Sequence, residues 1–161
     1  MVTKPVKLLF LCTHNACRSI LAEAIFRQQA GDKFIAASAG SSPAGKVFPQ
    51  TLEKLVQHGY NTEGLHSKSW EALSDYHPDI VITVCDQAAG ESCPVWFGKA
   101  VKAHWGLTDA SHIADTAERN HCFDALIQLL ESRVEALCHL PLAELSSADI
   151  STELKRIGAM T

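Results

Sequence analysis

The chain has 161 residues, of which 47% are hydrophobic and 20% charged, with a formal net charge of −4. That is the make-up of a soluble globular domain with a real core, and it excludes a general nucleic-acid binder, which would need a basic face. No apolar run approaches the roughly 20 residues of a membrane span, and residues 1–5 lead into an apolar segment without room for a signal peptide, so a cytosolic monomer is expected.

In chain order, residues 7–11 read as a central parallel strand buried on both faces. From Ser19, apolar residues at Ile20, Leu21, Ala24, Ile25 and Phe26 describe a helix on that strand, ending near Gly31. A short strand is expected at 34–37, followed by the small-residue turn Ser38-Ala39-Gly40-Ser41-Ser42-Pro43. Small residues let backbone approach backbone, so this turn would lie beside the loop after the first strand if the two strands pair. Residues 49–58 form a second helix ending at Gly59, and 70–73 a short third one capped by Ser67 or Ser69.

A buried strand over 79–84 delivers Cys85 at its C-terminal end. A loop over 86–98, a fourth strand around 100–104 and a loop over 105–111 follow. A long helix over about 115–139 has Phe123, Leu126, Ile127, Leu130, Val134 and Leu137 at core spacing. Beyond Pro141 the tail is more polar and reads as an appended short helix from Ser151. The alternation predicts one α/β domain over 1–161: an open, parallel, four-stranded sheet with helices on both faces in the flavodoxin-like order. Ligands of such sheets bind beyond the carboxyl ends of the strands, so Cys12, Cys85 and the loop over 105–111 should emerge on one edge.

The stretch Cys12-Thr13-His14-Asn15-Ala16-Cys17-Arg18-Ser19 lies between the first strand and the first helix. Loop N–H groups over 13–19 and the positive end of the helix dipole suit a tetrahedral oxyanion, and their field should lower the pKa of Cys12, the candidate nucleophile. The Arg18 guanidinium fork matches two oxyanion oxygens better than an ammonium would. Ser19 either donates its hydroxyl to the Cys12 thiolate or caps the helix, and Asn15 braces the loop in a left-handed conformation. His14 either adds charge near the anion or faces solvent. Asp109, after the last strand, stands where a general acid would protonate a leaving oxygen, or else serves as a loop cap.

The six cysteines (12, 17, 85, 93, 122 and 138) suggest reactive thiols or core residues rather than structural disulfides, and without a Cys-x-x-Cys pair no zinc site is expected. Cys17 is read as a loop-packing residue or a protective disulfide partner of Cys12, and Cys122 and Cys138 as core or surface residues.

The string Leu-Phe-Leu-Cys-Thr-His-Asn-Ala-Cys-Arg-Ser resembles the phosphate loop of the low-molecular-weight tyrosine phosphatase family, which includes bacterial arsenate reductases of the same fold. Ser38-Ala39-Gly40 resembles the segment that buttresses that loop, and His104 to Asp109 resembles the family's acid loop, although alanine follows Asp109 where the family usually has proline. Phosphatases of this fold usually carry aromatic residues after the acid; here Ala110, Ser111 and His112 follow. The segment from Val81 through Cys85-Asp86 to Cys93-Pro94 resembles the arsenate reductase branch.

That resemblance implies arsenate reduction with Cys12, Arg18, Cys85, Cys93 and Asp109 as catalytic residues. Cys12 attacks arsenate, Cys85 forms a disulfide with it, and Cys93 resolves the bridge for an external thiol reductant. That reductant would be thioredoxin, with a glutathione–glutaredoxin couple as the alternative, and no cofactor or metal is bound. Phosphomonoester hydrolysis through a phosphocysteine is the second reading. A non-catalytic thiol sensor is the third, disfavoured by the full set of nucleophile, arginine and acid.

Overall fold

A computed structural model describes residues 5–85 and 100–160. Its centre is a parallel sheet of four strands, β1 (Val6–Leu11), β2 (Phe34–Ala39), β3 (Ile80–Thr83) and β4 (Val101–His104), in the order β2-β1-β3-β4. Four α-helices belong to the described residues: α1 (Arg18–Gln29), α2 (Pro49–Gln57), α3 (Thr116–Cys138) and α4 (Ser147–Gly158).

Side chains alternate across a strand, so β1 supplies two cores at once. Leu8 and Phe10 join Ile80, Ile82 and the apolar faces of the helices, with the Phe10 ring between Phe26 and Trp105 at centroid distances of 5.8 and 6.2 Å. Leu9 and Leu11 join Val81 and Ala39 on the opposite face, covered among the described residues by Tyr76 and the short 3-10 turn Trp70–Leu73. Ser69 caps that turn, one of the two caps expected for it.

The strand order positions the site. The chain leaves β1 through α1 to reach β2 on one side and later returns to β3 on the other, which makes the β1/β3 border the switch point of the sheet. In the register Leu11 pairs with Thr83, so the next residues of the two chains, Cys12-Thr13 and Val84-Cys85, continue side by side.

Two boundaries differ from expectation. β2 runs through Ser38 and Ala39, which pair with Phe10 and Leu11, so the turn starts only at Gly40. Pairing with β1 extends the strand past its apolar run. The last helix starts at Ser147, capped by Ser146 rather than beginning at Ser151, and buries Leu154 and Ile157 completely. Its carbonyl at Leu154 accepts from Trp105 Nε1 at 3.0 Å, and a Cβ on Gly158 would stand 2.7 Å from the Trp105 ring. Ile150, Leu154 and Ile157 at helical spacing give this mostly polar helix one apolar face to dock, so the tail is packed into the core instead of being appended to it.

Candidate active site

The loop after β1 is shaped by what surrounds it. Its carbonyls are turned outward: Thr13 O, His14 O and Ala16 O accept the N–H groups of Ser42, Ala44 and Phe48, each at 2.9 Å. Across a planar trans peptide the following N–H points the opposite way, so the amides of His14, Asn15 and Cys17 turn to the inner side of the loop. Gly40 makes this close approach possible, because a Cβ there would lie 2.4 and 2.5 Å from the carbonyl oxygens of Thr13 and Cys12.

Asn15 holds the loop as expected. It is buried with φ +47, a left-handed conformation that asparagine tolerates. Its Nδ2 donates to Ser19 Oγ at 2.7 Å and to Ser38 Oγ at 3.0 Å, while Oδ1 accepts from Lys68 N at 2.9 Å. Ser38 in turn donates to the buried carboxylate of Glu23 at 2.5 Å. Ser19 therefore sits inside the first turn as the acceptor for Asn15; the N-cap position belongs to Cys17, whose side chain makes no cap bond. With no acidic residue in its first turn either, α1 keeps its positive end for an anion. His14 faces solvent, its Nδ1 paired with Ser42 O at 3.1 Å.

Arg18 and Asp109 meet across the mouth of the loop. Arg18 Nη1 donates to Leu107 O at 3.3 Å and Nη2 to Asp109 Oδ2 at 3.4 Å, and its buried Nε has no hydrogen-bond partner among the described residues. A desolvated donor without a partner is a cost that a bound oxyanion would remove. Asp109 also caps the 3-10 turn Ala110–His112, its Oδ1 accepting from Ser111 N at 3.0 Å and Ser111 Oγ at 2.6 Å. The cap reading of Asp109 is thus met by Oδ1 alone, while Oδ2 contacts Arg18 and His112.

Cys85 reaches the same place from β3. Its sulfur accepts from Thr13 N at 3.3 Å and lies 3.6 Å from Thr13 Oγ1, as the strand register requires. It is hydrogen-bonded to the Cys12 thiol, and both side chains are buried. That contact reverses the expectation for Cys12: the hydrogen bond with Cys85 and burial push its pKa up, against Arg18 and the His14 N–H, which lower it. Two adjacent sulfurs hold a proton between them more firmly than the loop field withdraws it. Burial also pushes Cys17 up to about 12, opposed by the Thr51 hydroxyl beside it, which suits its packing role.

Cys12, Thr13, Asn15, Ala16, Cys17, Arg18, Ser19, Cys85 and Asp109 therefore converge on one edge of the sheet. Cys93 lies outside the described residues. Three contributors were not singled out from sequence: Glu23, Lys68 and Arg133. Glu23 could have been noticed, since it is a carboxylate inside the apolar run of α1. Arg133 is almost wholly buried on α3 and donates to Gly106 O, Gly158 O and Met160 O, tying the start of the acid loop to the end of α4.

Residues 7–151 match the family model described as low molecular weight phosphotyrosine protein phosphatase. The chain belongs to that family. Within it, 114 residues are 31% identical to an arsenate reductase of Bacillus subtilis, over 71% of this chain and 81% of that one. The solved thioredoxin-dependent arsenate reductase of Corynebacterium glutamicum is 30% identical with a TM-score of 0.60, over 83% of this chain and 64% of that one. The match thus spans less than two thirds of the Corynebacterium protein. An arsenate reductase solved in its phosphate-binding state shares the fold, with a TM-score of 0.68 at 24% identity over 88% of this chain and 99% of that one. Among the described residues no group of His, Cys, Asp and Glu could hold a metal, and no helix is long and apolar enough to cross a membrane.

Proposed function

We propose that this protein reduces arsenate to arsenite through a cysteine relay that starts at Cys12. The observation that carries the reading is the contact between the Cys12 and Cys85 sulfurs at an oxyanion loop. Phosphoryl transfer needs one thiolate, whereas a two-electron reduction needs a second thiol within reach of the first. The similarity to arsenate reductases of Bacillus subtilis and Corynebacterium glutamicum supports it further.

The N–H groups over 13–19 and Arg18 hold the oxyanion. Its arrival parts the two sulfurs, which removes the contributions of Cys85 that raise Cys12 and leaves Arg18 and the His14 N–H, which lower it, opposed by burial alone. The Cys12 thiolate attacks arsenic, Asp109 protonates the departing oxygen, and water leaves. Cys85 attacks the Cys12 sulfur, the electron pair of the sulfur–arsenic bond stays on arsenic, and arsenite departs from a Cys12–Cys85 disulfide. Cys93 displaces Cys12 to give Cys85–Cys93, which an external dithiol reduces. Thioredoxin is the proposed reductant and a glutathione–glutaredoxin couple the runner-up. The enzyme works as a cytosolic monomer without a resident cofactor or metal.

Phosphomonoester hydrolysis is the second reading, favoured by the family match and by a loop chemistry common to both reactions. Against it as the main activity, Ala110, Ser111 and His112 offer no Phe, Tyr or Trp ring to flank a phosphotyrosine.

The two are separated by NADPH consumption with arsenate, thioredoxin and its reductase, run beside aryl phosphate hydrolysis. Replacing Cys12, Cys85 or Cys93 by serine should each abolish arsenate turnover, and only Cys12→Ser should abolish hydrolysis. Normal arsenate turnover by both Cys85→Ser and Cys93→Ser would refute the relay.

A further inference from the structure

The bonding of Asp109 leaves one place for a transferable proton. Its Oδ1 is taken by the N–H and hydroxyl of Ser111. Its Oδ2 has two contacts among the described residues, Arg18 Nη2 at 3.4 Å and His112 Nε2 at 3.1 Å. Arginine does not give up its proton in proteins, whereas imidazole exchanges one with water near neutrality. His112 is also the solvent-facing member of the group, 80% exposed against 22% for Asp109. The other charged or titratable groups around the pair are Arg18 from α1, Cys17 at the end of the loop, and Cys122 and Arg119 from α3, the last donating to Ile113 O.

The proton balance of the two candidate reactions then differs. Hydrolysis of an aryl phosphate gives an alcohol and phosphate, and the water that cleaves the phosphocysteine returns to Asp109 the proton it lent. Reduction of monoanionic arsenate by two thiols gives a disulfide, neutral arsenite and water, and takes up one proton from outside. The intermediate is resolved by Cys85, not by water, and even with the protons of both thiols counted, one proton must still enter the site from solvent in every cycle.

We propose that His112 reloads Asp109 from solvent with the proton that arsenate reduction consumes. After Asp109 Oδ2–H has protonated the departing oxygen, the imidazolium passes its Nε2 proton to the carboxylate, and the exposed ring regains one from water. His112 acts through Asp109 and is a positioning residue, not one that touches substrate. The proposal rests on Asp109 being the acid of an arsenate reductase.

The test compares wild type, His112→Gln and Asp109→Asn in both assays across neutral pH. Asp109→Asn should slow both reactions by about 10²-fold or more. His112→Gln, which keeps a donor but carries no proton, should slow arsenate turnover several-fold more than aryl phosphate hydrolysis. The first arsenite should form in a burst, and added imidazole should restore turnover. Equal losses in both reactions, or an arsenate rate indifferent to His112→Gln, would overturn the role of His112 while leaving the relay intact. Unchanged rates in Asp109→Asn would overturn the acid assignment and the proposal with it. Absence of arsenate turnover in wild type would overturn the reductase reading itself.

Discussion

The loop after β1 and the loop after β4 supply opposite sides of the same site but are held in different ways. The first is fixed by short-range design: the left-handed Asn15, a glycine that lets backbone approach backbone, and outward carbonyls taken by the 40s segment. The second is fixed from afar. Trp105 is clamped by α4, and the buried Arg133 gathers carbonyls from Gly106, Gly158 and Met160. One loop carries its geometry in its own residues and immediate neighbours, the other borrows it from the C-terminal helices. Damage to the two should therefore look different.

The largest effect is expected at Gly40. Gly40→Ala places a methyl group against two carbonyl oxygens of the nucleophile loop, both backbone atoms with nowhere to move. It should cost about 3 kcal/mol by urea unfolding and abolish both arsenate and aryl phosphate turnover. Retained activity would mean that the loop tolerates displacement.

Arg133→Met strikes the other loop. It strands three carbonyls that had a charged donor and should cost about 2 kcal/mol in the same unfolding assay. Its functional signature should be a fall in kcat with the alkylation rate of Cys12 unchanged, because only the acid side is disturbed. If Cys12 reactivity changes as much as kcat, the two loops are not independently held.

That contrast also explains how much could be read from the chain. The strand–loop–helix string announces the nucleophile because Cys12, Asn15, Arg18 and Ser19 act within eight positions. The β-α alternation likewise shows the strands, since buried parallel strands are apolar runs. The rest depends on residues distant in sequence. Ser38 and Ala39 look like a turn until β1 pairs with them. The tail looks polar because a single narrow face, Ile150, Leu154 and Ile157, is enough for α4 to dock. Arg133 interrupts a core helix face in a way that, in the sequence alone, reads as a surface charge. The raised pKa of Cys12 was hidden for the same reason: loop and helix dipole are local, whereas Cys85 comes from another strand.

That last point gives a smaller, sharper test. Because Cys85 raises Cys12 by its hydrogen bond and its charge, Cys85→Ala should move the pH midpoint of iodoacetamide alkylation at Cys12 downward. An unmoved midpoint would leave burial as the sole cause.

The smallest effect concerns the scaffold shared by both loops. Asp124 on α3 pairs with Lys54 Nζ of α2 at 2.6 Å and with Nε2 of His58, which follows α2, at 2.9 Å, and these partners lower its carboxyl pKa. A depressed carboxylate stabilises above its ordinary pKa, and that contribution is lost as pH falls through the folded value. Asp124 is 43% exposed, so Asp124→Asn should cost under about 1 kcal/mol at neutral pH. The difference from wild type should shrink below the ordinary value of 3.8. A difference that persists in acid would point to packing instead.

The relay itself is tested most directly by trapping its first disulfide. Reduced Cys93→Ser protein is given arsenate with no other reductant, and the products are peptide-mapped after acid quenching. One arsenite per chain and a Cys12–Cys85 disulfide are expected, with Cys17 still free. Arsenite formed with a Cys12–Cys17 bridge, or no disulfide after exposure to arsenate, would contradict the role assigned to Cys85.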